Sequence, residues 1–566
     1  MKNEFDRNVS FATGVVLAAC LAACGGGGGS DTPTPSATAL TLTGTATDGS
    51  SAPIAGRPVD AKCSTGSGSA TTNGSGDFTL NIDAGKFPCV ARVTKSDGSV
   101  LHTLATSSGT SATANLTPAT QLVVANLAGG DPAAYYDTGF AATPPSATAV
   151  SASQTAVVAT LKSGGVDFTP AGDLIGTALT PAYTTALGGL AGALATGGTT
   201  LAAITAAVGT GSAATPSGTP SLPPELLLKA GASNCSALRS GSYRVVSPFE
   251  GPALADRHGT VVVNAATLGI VFTDGSTDTL VANGACRYSL DGGKTDVVVS
   301  AAGVLAVRYT NDAGGTFHPA FLFPQQSHTL AELAGTSNAI GLERNAANTA
   351  YTGIAFTATL DAAGAITAAT VCKDDATWSI SGAACTARAA TDSLRANADG
   401  GFDIVNKTSG AVNGRSFAYR AGGGELMLLL VDANGSFQML TKQRTNGLPA
   451  IGAVQTFWSL TVNAQLSAAP ALNVSSNTIV SLDSAAASWI RSQKSVGGTN
   501  DSPHPETLLA NKPRDGYTFR AAGSATAADG STATFGEFTV LGLRGMGLNP
   551  LILPASKTFL LSVLQP

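Results

Sequence analysis

Charge is what this sequence has least of. Of its 566 residues, 12% are Asp, Glu, Lys or Arg, and the net charge is −5; an average soluble protein has about twice that share. The 31 Lys and Arg are scattered, with no basic stripe and no interleaving with aromatics, which excludes a nucleic-acid-binding surface. Aromatics are 6%. Trp378, Trp458 and Trp489 lie far apart, so no row of platforms for stacking sugars is provided. Trp458, in Phe457-Trp458-Ser459-Leu460, alternates like a strand residue and reads as core. The five histidines (His102, His258, His318, His328, His504) do not cluster, and no Cys-x-x-Cys occurs. No metal and no cofactor are expected. Nucleophile-elbow, zinc-helix, phosphate-loop and dinucleotide motifs are missing. Turns such as Asp432 to Gly435 lack the later Glu of a calcium loop. No catalytic residue can be named, and the chain reads as non-enzymatic. After the first thirty residues no run of 18 apolar residues appears, so no helix is expected to cross a membrane.

Small residues are what the sequence has instead. Gly (67) and Pro (27) make up about one residue in six, which points to short strands joined by turns. Near the start, Phe11 to Ala23 is apolar but too short for a bilayer core of roughly 30 Å. A short apolar run ending in small residues is the mark of a secretory signal. Leu-Ala-Ala-Cys occurs twice, ending at Cys20 and at Cys24, and resembles the lipobox of bacterial lipoproteins. The resemblance implies a signal peptide over 1–23, cleaved before Cys24, a diacylglycerol on its thiol and a further acyl chain such as palmitate on its amino group. Cys24 is favoured over Cys20, which would leave Leu21-Ala22-Ala23 exposed. Lys2 and Arg7 are offset by Glu4 and Asp6 in the leader. Gly25, rather than Asp, after the acylated Cys implies the outer membrane, facing the periplasm or the cell surface. The membrane, through this anchor, is the one partner implied; a protein or glycan partner is not identified.

Six cysteines remain: Cys63, Cys89, Cys235, Cys286, Cys372 and Cys385. They fall into three local couples, and an exported chain sits in an oxidising compartment. Neighbour pairing within domains is expected among the 15 arrangements open to six cysteines.

The chain then divides as follows. Residues 24–37, with five glycines and then Pro, Ser and Thr, form a flexible tether. Residues 38–117 alternate apolar and polar in short runs between Asp48-Gly49, Asn73-Gly74 and Asp97-Gly98, an antiparallel sandwich pattern. Pro53-Ile54-Ala55-Gly56-Arg57-Pro58-Val59 and Gly76-Asp77-Phe78-Thr79-Leu80 resemble the carboxypeptidase regulatory-like, transthyretin-like β-sandwich. That resemblance implies a spacer or adhesion module without an active site. Residues 118–210 carry Ala and Leu at helical spacing, with Pro118 and Pro132 suited to helix starts. Residues 211–234 read as a linker. Residues 235–566 are strand-rich, with turn signals at Asp274-Gly275, Asp361 to Gly364 and Asp432 to Gly435. About fifteen strands are expected to close into one or two barrels or sandwiches. A weak echo between Tyr419-Arg420-Ala421 and Phe519-Arg520-Ala521 allows two related halves. Leu330-Ala331-Glu332-Leu333-Ala334-Gly335-Thr336 is similar to the short helix entering a lipocalin-like barrel, with Ser337 where that family has Trp.

The expected fold is therefore mainly β: an N-terminal β-sandwich, a small α-helical spacer and a large C-terminal antiparallel β domain. The segment Lys494 to Gly516 reads as a long loop on a rigid sheet, a common place for function. It supplies the only binding candidates, Asp501, His504 and Glu506. The function expected is structural, adhesive or presenting, at the cell envelope; the alternative is small-ligand or polysaccharide binding by the C-terminal domain. Sparse aromatics favour a filled core over a cavity there.

Overall fold

The computed structural model describes residues 39–49, 52–169, 172–211, 219–310, 317–344, 350–380, 385–463, 467–468, 472–496 and 503–566. The signal peptide, Cys20, Cys24, the tether and Asp501 lie outside the described residues.

The first β unit has a three-stranded sheet (Asp77–Ile82, Leu40–Thr45, Ser111–Thr113) and a four-stranded sheet (Ser67–Thr71, Pro58–Thr65, Lys86–Thr94, Val100–Ala105). Alternation does the work: Phe78, Leu80 and Ile82 are buried and the residues between them are exposed. Cys63 bonds Cys89, its partner in register on the neighbouring strand. The bridge thus ties two strands of one sheet rather than one sheet to the other.

The helices are not a separate bundle. Thr117, Asp131 and Thr180 cap helices that start with Pro118, Pro132 and Pro181, the arrangement that satisfies free N–H groups and uses proline's fixed φ. Helix Pro118–Ala128 packs on strand Val100–Ala105, where Gln121 Oε1 accepts from the His102 backbone N–H (2.8 Å) and lies 3.0 Å from its ring nitrogen. Sandwich and helices share one hydrophobic core, from Leu40 to Val208 and Leu228. Among the described residues no single helix is long and apolar enough to cross a membrane.

The C-terminal region is three successive antiparallel meanders. The first runs from Gly241–Val246 to His318–Pro324, the second from Gly335–Arg344 to Phe437–Lys442, and the third from Val454–Asn463 to Thr558–Leu564. In each, the first strand pairs with the last. Numbered within each meander, the first two have the same order, 4-3-2-1-9-8-7-6-5, and stay unpaired between strands 4 and 5. The third closes completely, because His504–Ala510 also pairs with Tyr517–Arg520 through Leu509↔Phe519 and Ala510↔Thr518. Turn chemistry drives the meandering: Asp432 accepts from the Asn434 and Ser436 amides at 3.1 and 2.8 Å while Gly435 takes φ 92°, a left-handed residue glycine adopts without strain. A core shared by all three meanders includes Tyr243, Phe321, Tyr419, Phe437, Trp458 and Phe559.

Several expectations change. The strands form three meanders, not one or two units or two halves. Among the described residues of the segment read as the loop Lys494 to Gly516, strand Ser488–Val496 runs into its start and strand His504–Ala510 occupies its middle. Its prolines mislead because Pro505 is on the exposed face of that strand. Within the expected linker, Leu222 and Leu228 are buried and Pro224–Leu227 is a helical turn. The interiors are also not filled.

Candidate functional site

Each meander encloses a cavity, of about 380 Å³ in the first, 560 Å³ in the second and 520 Å³ in the third, within the range of small-molecule sites. The second is walled by aliphatic and aromatic side chains such as Ile354, Phe356, Leu360, Leu428 and Leu440. Only the third combines full closure with polar groups converging inside.

Alternation sorts the third barrel. Gln455, Phe457 and Ser459 point inward, while Trp458 and Leu460 pack outward into the shared core. Trp458 is thus core, as its pattern indicated, whereas Trp489 lines the cavity. Ile479, Trp489, Leu508 and Phe538 make an apolar cluster; Gln455, Ser459, Ser475, Asn477, Gln493 and Ser562 make a neutral polar wall.

On the same inward face, beside this wall, sits Glu506, 2% exposed. Arg491, its register partner on the adjacent strand, donates to Glu506 Oε2 through Nε (3.0 Å) and Nη2 (2.7 Å). Arg520 donates to Oε1, and His504 Nε2 lies 3.3 Å from the same oxygen. Arg520 Nη2 also donates to Gly536 O at 2.6 Å. The Arg520 guanidinium lies 4.3 Å from the Phe538 ring centre and 4.6 Å from that of Phe535, cation–π contacts that offset desolvation. Burial alone would push the Glu506 pKa up, but Arg491 and Arg520 together hold it below the ordinary range. Burial pulls that of Arg520 down, against the attraction of Glu506.

A carboxylate between two arginines recurs. Asp296 is held by Arg308 and Arg287, and Asp403 by Arg415 (2.5 Å) and Arg395 (2.8 Å). In both cases the alternate residues line the cavity, Thr295 and Val297 in the first meander and Ile404 in the second, so those clusters face away from it. Of these three clusters the Glu506 cluster turns inward; in the second meander the Glu343–Arg388 pair lines the cavity.

Of the residues singled out from sequence, His504 and Glu506 are brought together inside the barrel, not on a loop. Arg491, Arg520 and Asn477 went unnoticed. The signal was present: in a chain so poor in charge, an Arg two residues after Trp489 in a strand shares its inward face. The three disulfides form as expected, Cys63–Cys89, Cys235–Cys286 and Cys372–Cys385. Among the described residues no three His, Cys, Asp or Glu side chains converge to hold a metal ion.

Comparison with known families and with curated proteins finds no match. Two solved structures are similar in part. One is the isotype 1 transferrin binding protein B from serogroup B Neisseria meningitidis, with 11% identity over 55% of this chain and 67% of that one, at a TM-score of 0.17. The other is a protein with unknown function from the DUF3598 family, from Nostoc punctiforme, with 12% identity over 43% of this chain and 100% of that one, at a TM-score of 0.16. At these TM-scores neither likeness carries an argument about this chain.

Proposed function

We propose that this chain is a non-enzymatic, lipid-anchored binding protein of the bacterial outer membrane, tethered through Cys24, with its binding compartment in the third barrel. The observation that carries the reading is the closed barrel around a cavity of about 520 Å³, with Asn477, 5% exposed, presenting a side-chain oxygen that no protein group satisfies. Native barrels of this size fill their interior or hold one small ligand, and a buried unpaired amide group costs about 1–3 kcal/mol unless something pairs with it. The non-enzymatic reading is supported by the Glu506 carboxylate, which both arginines and His504 engage and which the arginines make a weaker base than a free carboxylate. The sandwich and helices then serve to hold the meanders out from the membrane.

A second reading, adhesion or presentation to a protein partner, is favoured by Val262 and Val271, register partners that are 50% and 43% exposed on the first meander. Native mass spectrometry of the purified full chain tests the first reading. A bound small molecule lost on denaturation is expected; an invariably empty chain that no small amphiphile stabilises would overturn it. The anchor is tested by metabolic labelling with a palmitate analogue. Label should persist in Cys20→Ser and vanish in Cys24→Ser, and label surviving the second change refutes the assignment.

A further inference from the structure

We propose that the third barrel takes a small amphipathic acid, its monoanionic carboxylate seated towards Arg491 and Arg520 and its apolar part against Trp489, Phe538 and Leu551. The inference rests on the reading of that barrel as the binding compartment and adds the chemistry of what fills it.

Charge is the first argument. Arg491, Arg520 and Arg544 line the cavity, and no Asp or Glu does; Glu506, buried on the same inward face, answers the first two guanidinia with one carboxylate. The cavity lining therefore carries more positive than negative charge, a field that attracts an anion and repels a cation. An anionic carboxylate lowers this excess and a cation would raise it. The Arg–carboxylate–Arg arrangements around Asp296 and Asp403 face away from their cavities, so clamping a carboxylate is a structural habit of these meanders. The second cavity is lined by charges of both signs, including Glu343, Arg344, Arg388 and Asp392, whereas the third is lined by arginines without a carboxylate.

Unsatisfied hydrogen bonding is the second. Arg520 Nε is buried without an acceptor and Asn477 Oδ1 without a donor. Both atoms lie just beneath the cavity surface, so a shift of the covering side chains brings a carboxylate acceptor to the first and a hydroxyl or a bridging water to the second. Shape is the third: Ile479, Trp489, Leu508 and Phe538 cluster in the same barrel, and a purely polar ligand would leave them facing empty space. A neutral polar wall opposite an apolar cluster suits a molecule with both characters.

The test is isothermal titration of the purified full chain with decanoate, decanol and decyltrimethylammonium, which share a tail and differ in head charge. Decanoate should bind at least tenfold tighter than decanol, and decyltrimethylammonium should not bind. Asn477→Asp adds a carboxylate to the wall without touching the arginine cluster. It should weaken decanoate at least tenfold and decanol by less than threefold. Arg491→Gln should erase the preference and Arg491→Lys should keep it; circular dichroism confirms folding, and Asn477→Asp decides alone if Arg491→Gln unfolds. Equal binding of decanoate and decanol by the unmodified chain overturns the acid inference and leaves the compartment standing. A decanoate preference untouched by Asn477→Asp places the acid elsewhere and also overturns it. Binding of none of the three overturns inference and compartment together.

Discussion

Replacing Glu506 by Gln should loosen the third barrel more than any surface change in the molecule. The substitution preserves shape and removes the one negative charge between two buried guanidinia. Each Arg–carboxylate attraction at such distances is about 4 kcal/mol at an effective dielectric of about 20. Desolvation offsets much of that in the intact cluster, but a cluster that has lost its carboxylate keeps the desolvated arginines and loses the attraction. Breaking buried pairs in this way costs about 3–5 kcal/mol. Asp137 is the contrast: its side chain is 60% exposed, 3.6 Å from Arg92 and 4.0 Å from Lys62, and Asp137→Asn should cost less than about 1 kcal/mol. Amide hydrogen exchange across Ser488–Val496 and His504–Ala510 reads the opening of these strands directly. A loss of about 3 kcal/mol corresponds to exchange roughly a hundredfold faster. Less than threefold acceleration in Glu506→Gln would refute the claim that this carboxylate holds the barrel together.

Two further outcomes follow from the structure. Removing Cys235–Cys286, which closes a separation of 51 residues, should cost about 4 kcal/mol, against about 3 kcal/mol for Cys372–Cys385 at 13; chemical denaturation of the paired Ser variants checks the order, and the reverse order would show that strain or residual structure dominates. His102 is held neutral chiefly by burial, and His258 by burial and then by Arg244. Unfolding frees both to take up protons near their ordinary pKa of about 6.5, so the unfolded state binds more protons below that pH and stability falls as pH drops from about 7 to 5. Calorimetry should show melting temperature falling over this window and the slope shrinking in His102→Gln; a flat profile contradicts the reading.

Local chemistry made much of the fold legible. Alternation between Asp-Gly and Asn-Gly turns marks the strands, because hairpins need positive φ where Gly, Asn and Asp supply it. Proline after a Thr or Asp cap marks the helix starts at Pro118, Pro132 and Pro181, because both effects act within one turn of chain. The disulfide couples were legible because each joins segments near in sequence. Asp501, His504 and Glu506 were singled out for a loop that does not exist at His504 and Glu506, yet two of the three lie in the candidate site.

Tertiary structure decided what depends on contacts between distant residues. That the strands close as three meanders rests on pairing first strands with last, as in Phe457↔Leu564 and Ser337↔Lys442, about a hundred residues apart; no local signal specifies such a partner. Whether a barrel is filled depends on how side chains from eight strands meet, which composition cannot state, and sparse aromatics led to the opposite expectation. The sign of the cavity wall was likewise hidden. Spacing from Trp489 marks the face that Arg491 shares, but only closure of the barrel turns Arg491 and Arg520 toward the same buried carboxylate.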